Sequence, residues 1–385
     1  MGTKAGILVV LFVVLASLSG LIEAQDVTFG TLPALQVTTP KPGSNHVPGD
    51  FNGDGVSDLL WFNPTTSQLA YWLMQTDDAT GTVSRLGYQI YNITPGYFVG
   101  ATGDFNNDGL ADLAFTSANH DLYFWTNDGK GGFSAAYLGT YPSGWQLIGA
   151  GDVNGDGYDD LLWVNPTSCQ FAYWLMKGTQ RIGYDVITYT CGYYPLSIGY
   201  YTASNRISVV WTSANFDLYV WDSQGAWFAS SLLGTNYNTN TLTTLIAFGG
   251  GYAGSEMTYV TGQTSTNYIG GSLFTRQFGP DGVQSGTTSS NEWDGGYFPP
   301  IMSAGYLIEG NGVNATGVIF QEAGTNIINA YGSPIIEVCS PVDGAKTQHP
   351  NPPAPLIGTC PRFTYPSGWY LIGAMANESA PLVAH

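Results

Sequence analysis

Three short acidic segments contain the side chains with the clearest chemical potential. Each reads D-x-N-x-D-G-x-x-D, so oxygen-bearing side chains stand at positions 1, 3, 5 and 9. Gly at position 6 allows a sharp turn, alternate side chains then converge, and the carbonyl of position 7 can add an oxygen. Ca²⁺ prefers six to eight oxygen ligands in flexible geometry, whereas the octahedral demand of Mg²⁺ fits less well. The spacing therefore predicts about three Ca²⁺ sites.

We call these segments loop 1 (50–58), loop 2 (104–112) and loop 3 (152–160). The predicted ligands are Asp50, Asn52, Asp54, Val56 and Asp58; Asp104, Asn106, Asp108, Leu110 and Asp112; Asp152, Asn154, Asp156, Tyr158 and Asp160. An Asx-rich β-turn without an ion is the alternative. The same register in all three loops favours ion sites, because metal-free loops would hold mutually repelling carboxylates.

Residues typical of catalysis form no recognisable pattern. The histidines have neither metal-ligand nor triad spacing, and His120 is replaced by Phe216 in a related unit. Four acidic residues outside the loops likewise show no glycosidase-like arrangement. These two sets are His46, His120, His349 and His385, and Glu256, Glu292, Asp294 and Glu309. We therefore predict that the protein is not an enzyme.

The chain repeats itself with a unit of about 50 residues. Residues 49–74 and 151–176 share 19 of 26 positions at an offset of 102, and 116–125 returns as 212–221. Within each unit, short runs rich in aromatic and β-branched residues are separated by Asn-Pro or Gly-rich turns, which is typical of β-strands. Four short strands per repeat predict an all-β protein, a seven-bladed β-propeller with six blades as the alternative.

The seventh unit is truncated. Residues 365–374 repeat residues 141–150 with one change, after which the similarity ends. A closed ring needs this last blade completed, and the strand-like segment Asp26–Thr39 is the predicted donor.

The acidic loops also resemble a known family. The segments DFNGDGVSDLLW, DFNNDGLADLAF and DVNGDGYDDLLW are similar to the FG-GAP/VCBS repeats of integrin α-subunit propellers, many bacterial secreted proteins and some fungal lectins. The resemblance implies that each acidic loop joins the first two strands of a blade and binds Ca²⁺. It is clear over 49–221 and degenerate over 222–385. Unit 4 has lost the ligands, with Tyr200, Thr202, Ser204 and Ser208 in their places, so no ion is expected there.

The N-terminus predicts secretion. Lys4 and the apolar run 5–22 indicate a signal peptide over 1–24, with a signal anchor as the alternative; an arm (25–48) and the propeller (49–385) follow, with no membrane span in the mature chain. In a secreted protein, spacings of 22 and 21 residues predict the disulfides Cys169–Cys191 and Cys339–Cys360. Asn92, Asn314 and Asn377 begin glycosylation sequons.

Charge and aromatic content narrow the function. Ten basic against 28 acidic residues give a net charge of −18, which argues against nucleic acid and acidic membranes as partners. The recurring Trp61/Trp163, Trp72/Trp174 and Trp125/Trp221 are predicted core, whereas the turns 141–145 and 365–369 could contact carbohydrate or pack blades.

Two functions from different classes follow. We predict a secreted, calcium-stabilised, non-catalytic module that binds glycan or an extracellular protein, with ligand-contacting residues unknown. The alternative is a structural subunit of an extracellular matrix or filament, a homopolymer assembled through the N-terminal arm.

Overall fold

The structure is a computed structural model that describes residues 47–77, 82–200, 206–213, 215, 217–234, 242–249, 256–265, 268–278, 284–292, 301–310, 313–321, 327–332 and 362–373. Several predictions lie outside these residues: the signal peptide, the donor segment 26–39, the Cys339–Cys360 disulfide and the sequon at Asn377. The same holds for His46, His349, His385 and Asp294. No helix in the described part is long and apolar enough to cross a membrane.

The described residues contain 24 strands. They are β1 (Leu59–Asn63), β2 (Gln68–Asp77), β3 (Thr82–Asn92), β4 (Tyr97–Gly103), β5 (Asp112–Ser117), β6 (Asp121–Asn127), β7 (Phe133–Thr140), β8 (Gln146–Gly151), β9 (Asp160–Asn165), β10 (Gln170–Lys177), β11 (Gln180–Thr188), β12 (Tyr193–Gly199), β13 (Ser208–Ser213), β14 (Leu218–Ser223), β15 (Phe228–Gly234), β16 (Leu242–Gly249), β17 (Glu256–Ser265), β18 (Tyr268–Phe278), β19 (Gln284–Glu292), β20 (Ile301–Gly310), β21 (Val313–Gln321), β22 (Ile327–Gly332), β23 (Arg362–Thr364) and β24 (Tyr370–Gly373).

Within the described ranges, these strands pair into six antiparallel sheets of four strands, which we call blades. Blade 1 is β24-β1-β2-β3, blade 2 is β4 to β7, blade 3 is β8 to β11, blade 4 is β12 to β15, blade 5 is β16 to β19 and blade 6 is β20 to β23. The first strands β4, β8, β12 and β16 contact one another in that order, and β20 contacts β24. First strands that meet while fourth strands point outward give the radial arrangement of a β-propeller.

Burial along a blade follows this arrangement. Every residue of β5 is buried, because neighbouring blades cover both faces of a second strand. The fourth strand β11 is mostly exposed. A run such as LLWV in β9 is therefore continuously apolar, whereas the outer strands mix apolar and polar residues.

Aromatic clusters fill the grooves between blades. Trp163 is 1% exposed, and its ring lies 4.6 Å from that of Tyr141 and 4.7 Å from that of Trp174. Trp61 forms the same cluster with Trp72 and Tyr365. The predicted core role of these tryptophans is confirmed. Because Tyr141 and Tyr365 are buried in the clusters, their turns pack blades.

The C-terminal repeat does not form a separate sheet. It supplies β24, which pairs with β1 and places Leu371 opposite Trp61. This differs from the predicted seventh blade: a copy of an inner-strand sequence is sufficient to complete blade 1, whose other three strands come from the start of the described chain. Six sheets lie within the described residues, and the number of blades in the whole ring stays a prediction.

The disulfide predicted between Cys169 and Cys191 is present, with the two Cα atoms 5.2 Å apart. Cys169 lies in the turn between β9 and β10, and Cys191 lies just before β12. The bond therefore ties a blade 3 hairpin to the start of blade 4.

Closure through β24 can be tested with Leu371→Ala. Leu371 is fully buried, so we expect a loss of about 2–5 kcal/mol of unfolding free energy. Leu232 of β15 is 51% exposed, and Leu232→Ala should change stability by no more than about 0.5 kcal/mol. Denaturant unfolding of both variants makes the comparison, and equal effects would contradict a closing role for β24.

Candidate functional site

The acidic loops lie at corresponding places in three consecutive blades. Loop 2 joins β4 to β5, loop 3 joins β8 to β9, and loop 1 leads into β1. Position 1 is buried in each loop, position 3 is half-buried and position 5 is exposed. Each loop therefore presents its oxygen atoms to solvent at one end.

Positions 1, 3 and 5 are held together by a hydrogen-bond pattern that repeats in the three loops. In loop 1, Gly55 N donates to Asp50 Oδ2 at 2.8 Å, and Asn52 Nδ2 donates to Asp54 Oδ2 at 2.9 Å. Val56 N donates to Asp54 Oδ1 at 3.0 Å. The same three bonds, from position 6 to 1, from 3 to 5 and from 7 to 5, measure 2.9, 2.8 and 2.9 Å in loop 2. In loop 3 they measure 2.9, 3.0 and 3.1 Å.

Two positions in each loop need a left-handed backbone, of which the sequence analysis recognised only position 6. Position 4 also has positive φ, at 80° for Gly53, 59° for Asn107 and 83° for Gly155. The signal was present in the sequence, because Gly and Asn are the residues that adopt this conformation most readily.

Position 9 has a different environment from positions 1, 3 and 5. Asp58 is fully buried, and its carboxylate accepts hydrogen bonds from Phe51 N at 2.9 Å and from Met74 N at 2.8 Å. Asp112 and Asp160 make the equivalent pairs of bonds. Position 9 thus ties the start of the loop to the far end of the following hairpin. In the described part of the chain, no three His, Cys, Asp or Glu side chains gather as a group that could hold a metal.

The carboxylates of each loop destabilise one another's charged forms. Burial, together with the carboxylates at positions 1 and 5 of the same loop, raises the pKa of Asp112 and of Asp160 to about 8, although two backbone N–H groups oppose the shift. Burial and the same neighbours raise the pKa of Asp58 well above its ordinary value, although two backbone N–H groups oppose the shift. A cation in the loop would offset these charges.

The donor set fits Ca²⁺ in chemical type. Each loop offers carboxylate oxygens at positions 1 and 5 and an amide oxygen at position 3, within one hydrogen-bonded turn, and no nitrogen or sulfur ligand. Oxygen-only sets with an exposed carboxylate are typical of calcium loops.

The loops are also the joints between blades. Ala111 N, in loop 2, donates to Asp50 O of loop 1 at 2.7 Å. Asp159 N donates to Asp104 O at 3.0 Å in the next joint. Side chains add to these contacts, since Asn127 Nδ2 of blade 2 donates to a loop 1 carbonyl at 2.8 Å. A change in the conformation of one loop would therefore alter its hydrogen bonds to the next blade.

Unit 4 makes the same joint with uncharged and relocated groups. Tyr200 replaces the position 1 aspartate, and its hydroxyl accepts from Asp152 N at 3.0 Å. Ser208 replaces position 9 and donates to Asp222 Oδ1 at 2.8 Å, so the carboxylate has moved to the neighbouring strand β14. The prediction that unit 4 holds no ion agrees with this arrangement and stays a prediction.

A second feature, which was not predicted from the sequence, recurs on two outer strands. The guanidinium of Arg85 in β3 lies 4.5 Å from the ring of Trp72 and 5.8 Å from that of Tyr88. Arg181 in β11 repeats this with Trp174 and Tyr184, at 4.4 and 5.6 Å. We call each set an outer aromatic site. The signal was the pair of segments RLGYQI and RIGYDV, 96 residues apart, in a chain with only 10 basic residues.

Each outer aromatic site is accessible to solvent. Tyr88 is 58% exposed and Tyr184 is 66% exposed. Ile90 and Val186, two residues further along each strand, are also exposed. A tyrosine face beside a guanidinium and an apolar side chain can stack on a ring and donate hydrogen bonds to its substituents.

The other sequence candidates occupy separate places. His120 is the positive-φ residue of the turn between β5 and β6, and its ring stands edge-on to Tyr141. Glu256, Glu292 and Glu309 lie on β17, β19 and β20. Asn92 is exposed at the end of β3, which suits glycosylation, and Asn314 lies on β21.

Comparison with protein families identifies the acidic repeats. The FG-GAP-like repeat family matches residues 50–115 and again residues 104–163. Residues 50–163 carry FG-GAP-like repeats. The resemblance drawn from the sequence is thereby confirmed for this part of the chain. A comparison with curated proteins finds no match.

Some of the solved structures with a similar fold are enzymes, and others are not, such as a complex of the fission yeast SREBP–SCAP binding domains. An oligogalacturonate lyase in complex with manganese is 10% identical, with 70% of this chain and 72% of that chain covered and a TM-score of 0.38. The periplasmic gluconolactonase of Pseudomonas aeruginosa is also 10% identical, with 76% and 83% covered and a TM-score of 0.40. The prediction that the protein is not an enzyme is corrected: it depended on missing catalytic motifs, which do not exclude catalysis, and enzymes occur among the structures of similar fold. Likeness at this identity concerns the fold alone.

The roles of positions 5 and 9 can be separated by mutation. In chelator, Asp58→Ala should cost about 2–4 kcal/mol of unfolding free energy, since two buried N–H groups lose their acceptor. Asp54 is exposed, so Asp54→Ala should cost about 1 kcal/mol or less in chelator and should reduce the stabilisation that added Ca²⁺ provides. Denaturant unfolding with and without Ca²⁺ measures both effects. A wild-type curve that Ca²⁺ leaves unchanged would contradict the ion sites.

The raised pKa values predict the pH dependence of the metal-free protein. The folded pKa of Asp112 is about 8 against an ordinary value of 3.8, so protonation favours the folded state. This stabilisation is complete below about pH 4 and is lost as pH rises through about 8. We expect the melting temperature in chelator to be lower at pH 8 than at pH 5, with a smaller difference in Asp112→Asn. If the melting temperature of Asp112→Asn fell between pH 5 and pH 8 by as much as that of the wild type, Asp112 would not be the titrating group.

Proposed function

We propose that the protein is a secreted, calcium-stabilised β-propeller that binds an extracellular glycan or protein. The observation that supports calcium is the position of the acidic loops as joints between blades, with their mutually destabilising carboxylates. Ions at these joints would stabilise the assembly of blades and leave the outer surface free for a ligand.

In this proposal, positions 1, 3, 5, 7 and 9 of loops 1 to 3 hold the ions. Bound Ca²⁺ supplies positive charge that offsets the carboxylates. The chain itself aligns the oxygens, through the left-handed residues at positions 4 and 6 and the hydrogen bonds between positions 3 and 5.

We also infer a closed six-bladed ring. The contacts between β2 and β20, and between β20 and β24, support this inference, because they join blade 6 to blade 1. With β24 pairing to β1, the two ends of the described chain meet in one blade. Closure of this kind protects a propeller from opening at its first blade.

The outer aromatic sites are the proposed ligand contacts. Two equivalent sites stand on blades 1 and 3, with blade 2 between them. A ligand with repeated units, such as a polysaccharide, could engage both and gain from multivalency. The exposed tyrosines supply stacking surface, and the arginines supply hydrogen-bond donors.

Secretion is part of the proposal. The sequence supports it through the apolar segment after Lys4, and the Cys169–Cys191 disulfide is compatible with an oxidising compartment.

The alternative, a homopolymer assembled through residues 25–48, is favoured by a specific observation. The fourth strands β3 and β11 are long outer strands with exposed apolar side chains, and such strands can pair with an added strand.

The experiment that tests this function is a binding screen on the secreted protein in Ca²⁺ and after chelation. Immobilised glycans and extracellular proteins are the probes, and each bound glycan is also assayed for cleavage. We expect a ligand whose binding falls at least about tenfold in the Tyr88→Ala/Tyr184→Ala double variant, because each site loses its stacking face. Tyr137→Ala is the matched control, since Tyr137 is 59% exposed but lies outside both sites.

Light scattering on the same samples separates the two functions. A monomer that binds a ligand supports the binding module. Regular oligomers that become monomers when residues 25–48 are removed would instead support the structural subunit.

A further inference from the structure

Each acidic loop is covered by a side chain from the next blade. A Cβ atom at Gly53, position 4 of loop 1, would lie 3.2 Å from Leu110 Cδ2 of the following loop. At Gly155, the same position of loop 3, it would lie 3.4 Å from Arg206 Nε. Arg206 Nε also donates to the carbonyl oxygen of Asn154 at 3.4 Å. Position 7 of the next unit thus lies over position 4 of the preceding loop.

The charge of the covering residues differs among the three loops. Loop 1 is covered by uncharged Leu110 and Ala111. Loop 2 is next to Asp159, which is 5% exposed and accepts from Asp104 N at 2.8 Å. Lys177 lies 5.8 Å from the Tyr158 ring, but it is exposed and therefore screened by solvent. At loop 3, a basic side chain, Arg206, contacts the loop itself.

We propose that Arg206 makes loop 3 the weakest of the three calcium sites. The proposal rests on the proposed calcium function and goes beyond it by ranking the sites. The guanidinium donates to the carbonyl oxygen of position 3 and lies beside position 4, between the ligands at positions 3 and 5. A half-buried positive charge at this distance opposes the binding of a divalent cation and lowers its affinity by roughly three- to tenfold.

A weak third site gives one joint a separate calcium response. Loop 3 belongs to blade 3 and is hydrogen-bonded to blade 4. Ile207 N donates to Asp152 O at 2.8 Å, and Ser223 Oγ donates to Val153 O at 2.6 Å. As Ca²⁺ concentration falls, loop 3 loses its ion first. The joint between blades 3 and 4 then loosens at concentrations where the first two joints remain intact.

The test isolates one loop at a time. Asp54→Ala/Asp108→Ala leaves loop 3 as the working site, and Asp108→Ala/Asp156→Ala leaves loop 1. Calcium titration calorimetry on the first protein is repeated with Arg206→Gln and with Arg206→Lys. We expect Arg206→Gln to tighten binding about three- to tenfold, because the positive charge is removed, and Arg206→Lys to leave it weak.

The reciprocal variant places the charge over loop 1. In the protein that retains only loop 1, Leu110→Arg should weaken Ca²⁺ binding by a similar factor, whereas Leu110→Gln should not. Circular dichroism confirms that each variant is folded.

The outcomes distinguish the two levels of the proposal. Loop 3 binding as tightly as loop 1, or Arg206→Gln and Arg206→Lys having equal affinity, overturns the role of Arg206 and leaves calcium binding intact. No heat of binding in the wild-type protein at millimolar Ca²⁺ overturns the calcium function and this inference together.

Discussion

A buried carboxylate at position 9 of each acidic loop is the contact on which the surrounding structure depends. It accepts one N–H from the start of its loop and one from the end of the following hairpin, so that it fixes both the loop and the first strands of the blade. Burying this charge is costly, and the raised pKa of Asp112 and Asp160 expresses that cost. The neighbouring carboxylates at positions 1 and 5 increase it. A loop built in this way is best stabilised by a cation that offsets the cluster.

Unit 4 shows a second way to build the same joint. It retains the inter-blade hydrogen bond from Ile207 N but has lost the aspartates at positions 1 and 9. A tyrosine hydroxyl and a serine–aspartate pair hold the corresponding backbone and strand. The buried Trp211 stands at the same position as Trp61 and Trp163, so groove packing is unchanged. Packing of aromatic clusters thus defines the blade, and the loop chemistry is adjusted separately.

The sequence predicted those features that are local or repeated. The repeat, the strand-rich units, the tryptophan core and the Cys169–Cys191 bond all follow from spacing and composition. The pairing of β24 with β1 did not, because an inner-strand sequence does not specify which blade it completes. The double role of Asp58 was also missed, since spacing identifies an oxygen ligand but not the backbone donors that compete for it. The outer aromatic sites were not predicted, because exposed side chains do not produce a periodic hydrophobic pattern in the sequence.

The acidic loops therefore form a graded series along the chain. Loops 1 to 3 have the same ligand positions, but the next blade places neutral, acidic and basic groups over them in turn. Unit 4 then replaces the charged cluster altogether. Because each joint is shared by two blades, its strength depends on residues of both, and a substitution in one repeat alters the proposed ion site of the repeat before it. Under the proposed calcium function, divergence of initially similar repeats in this way would convert identical joints into joints of different calcium sensitivity, while the aromatic core between blades stays the same.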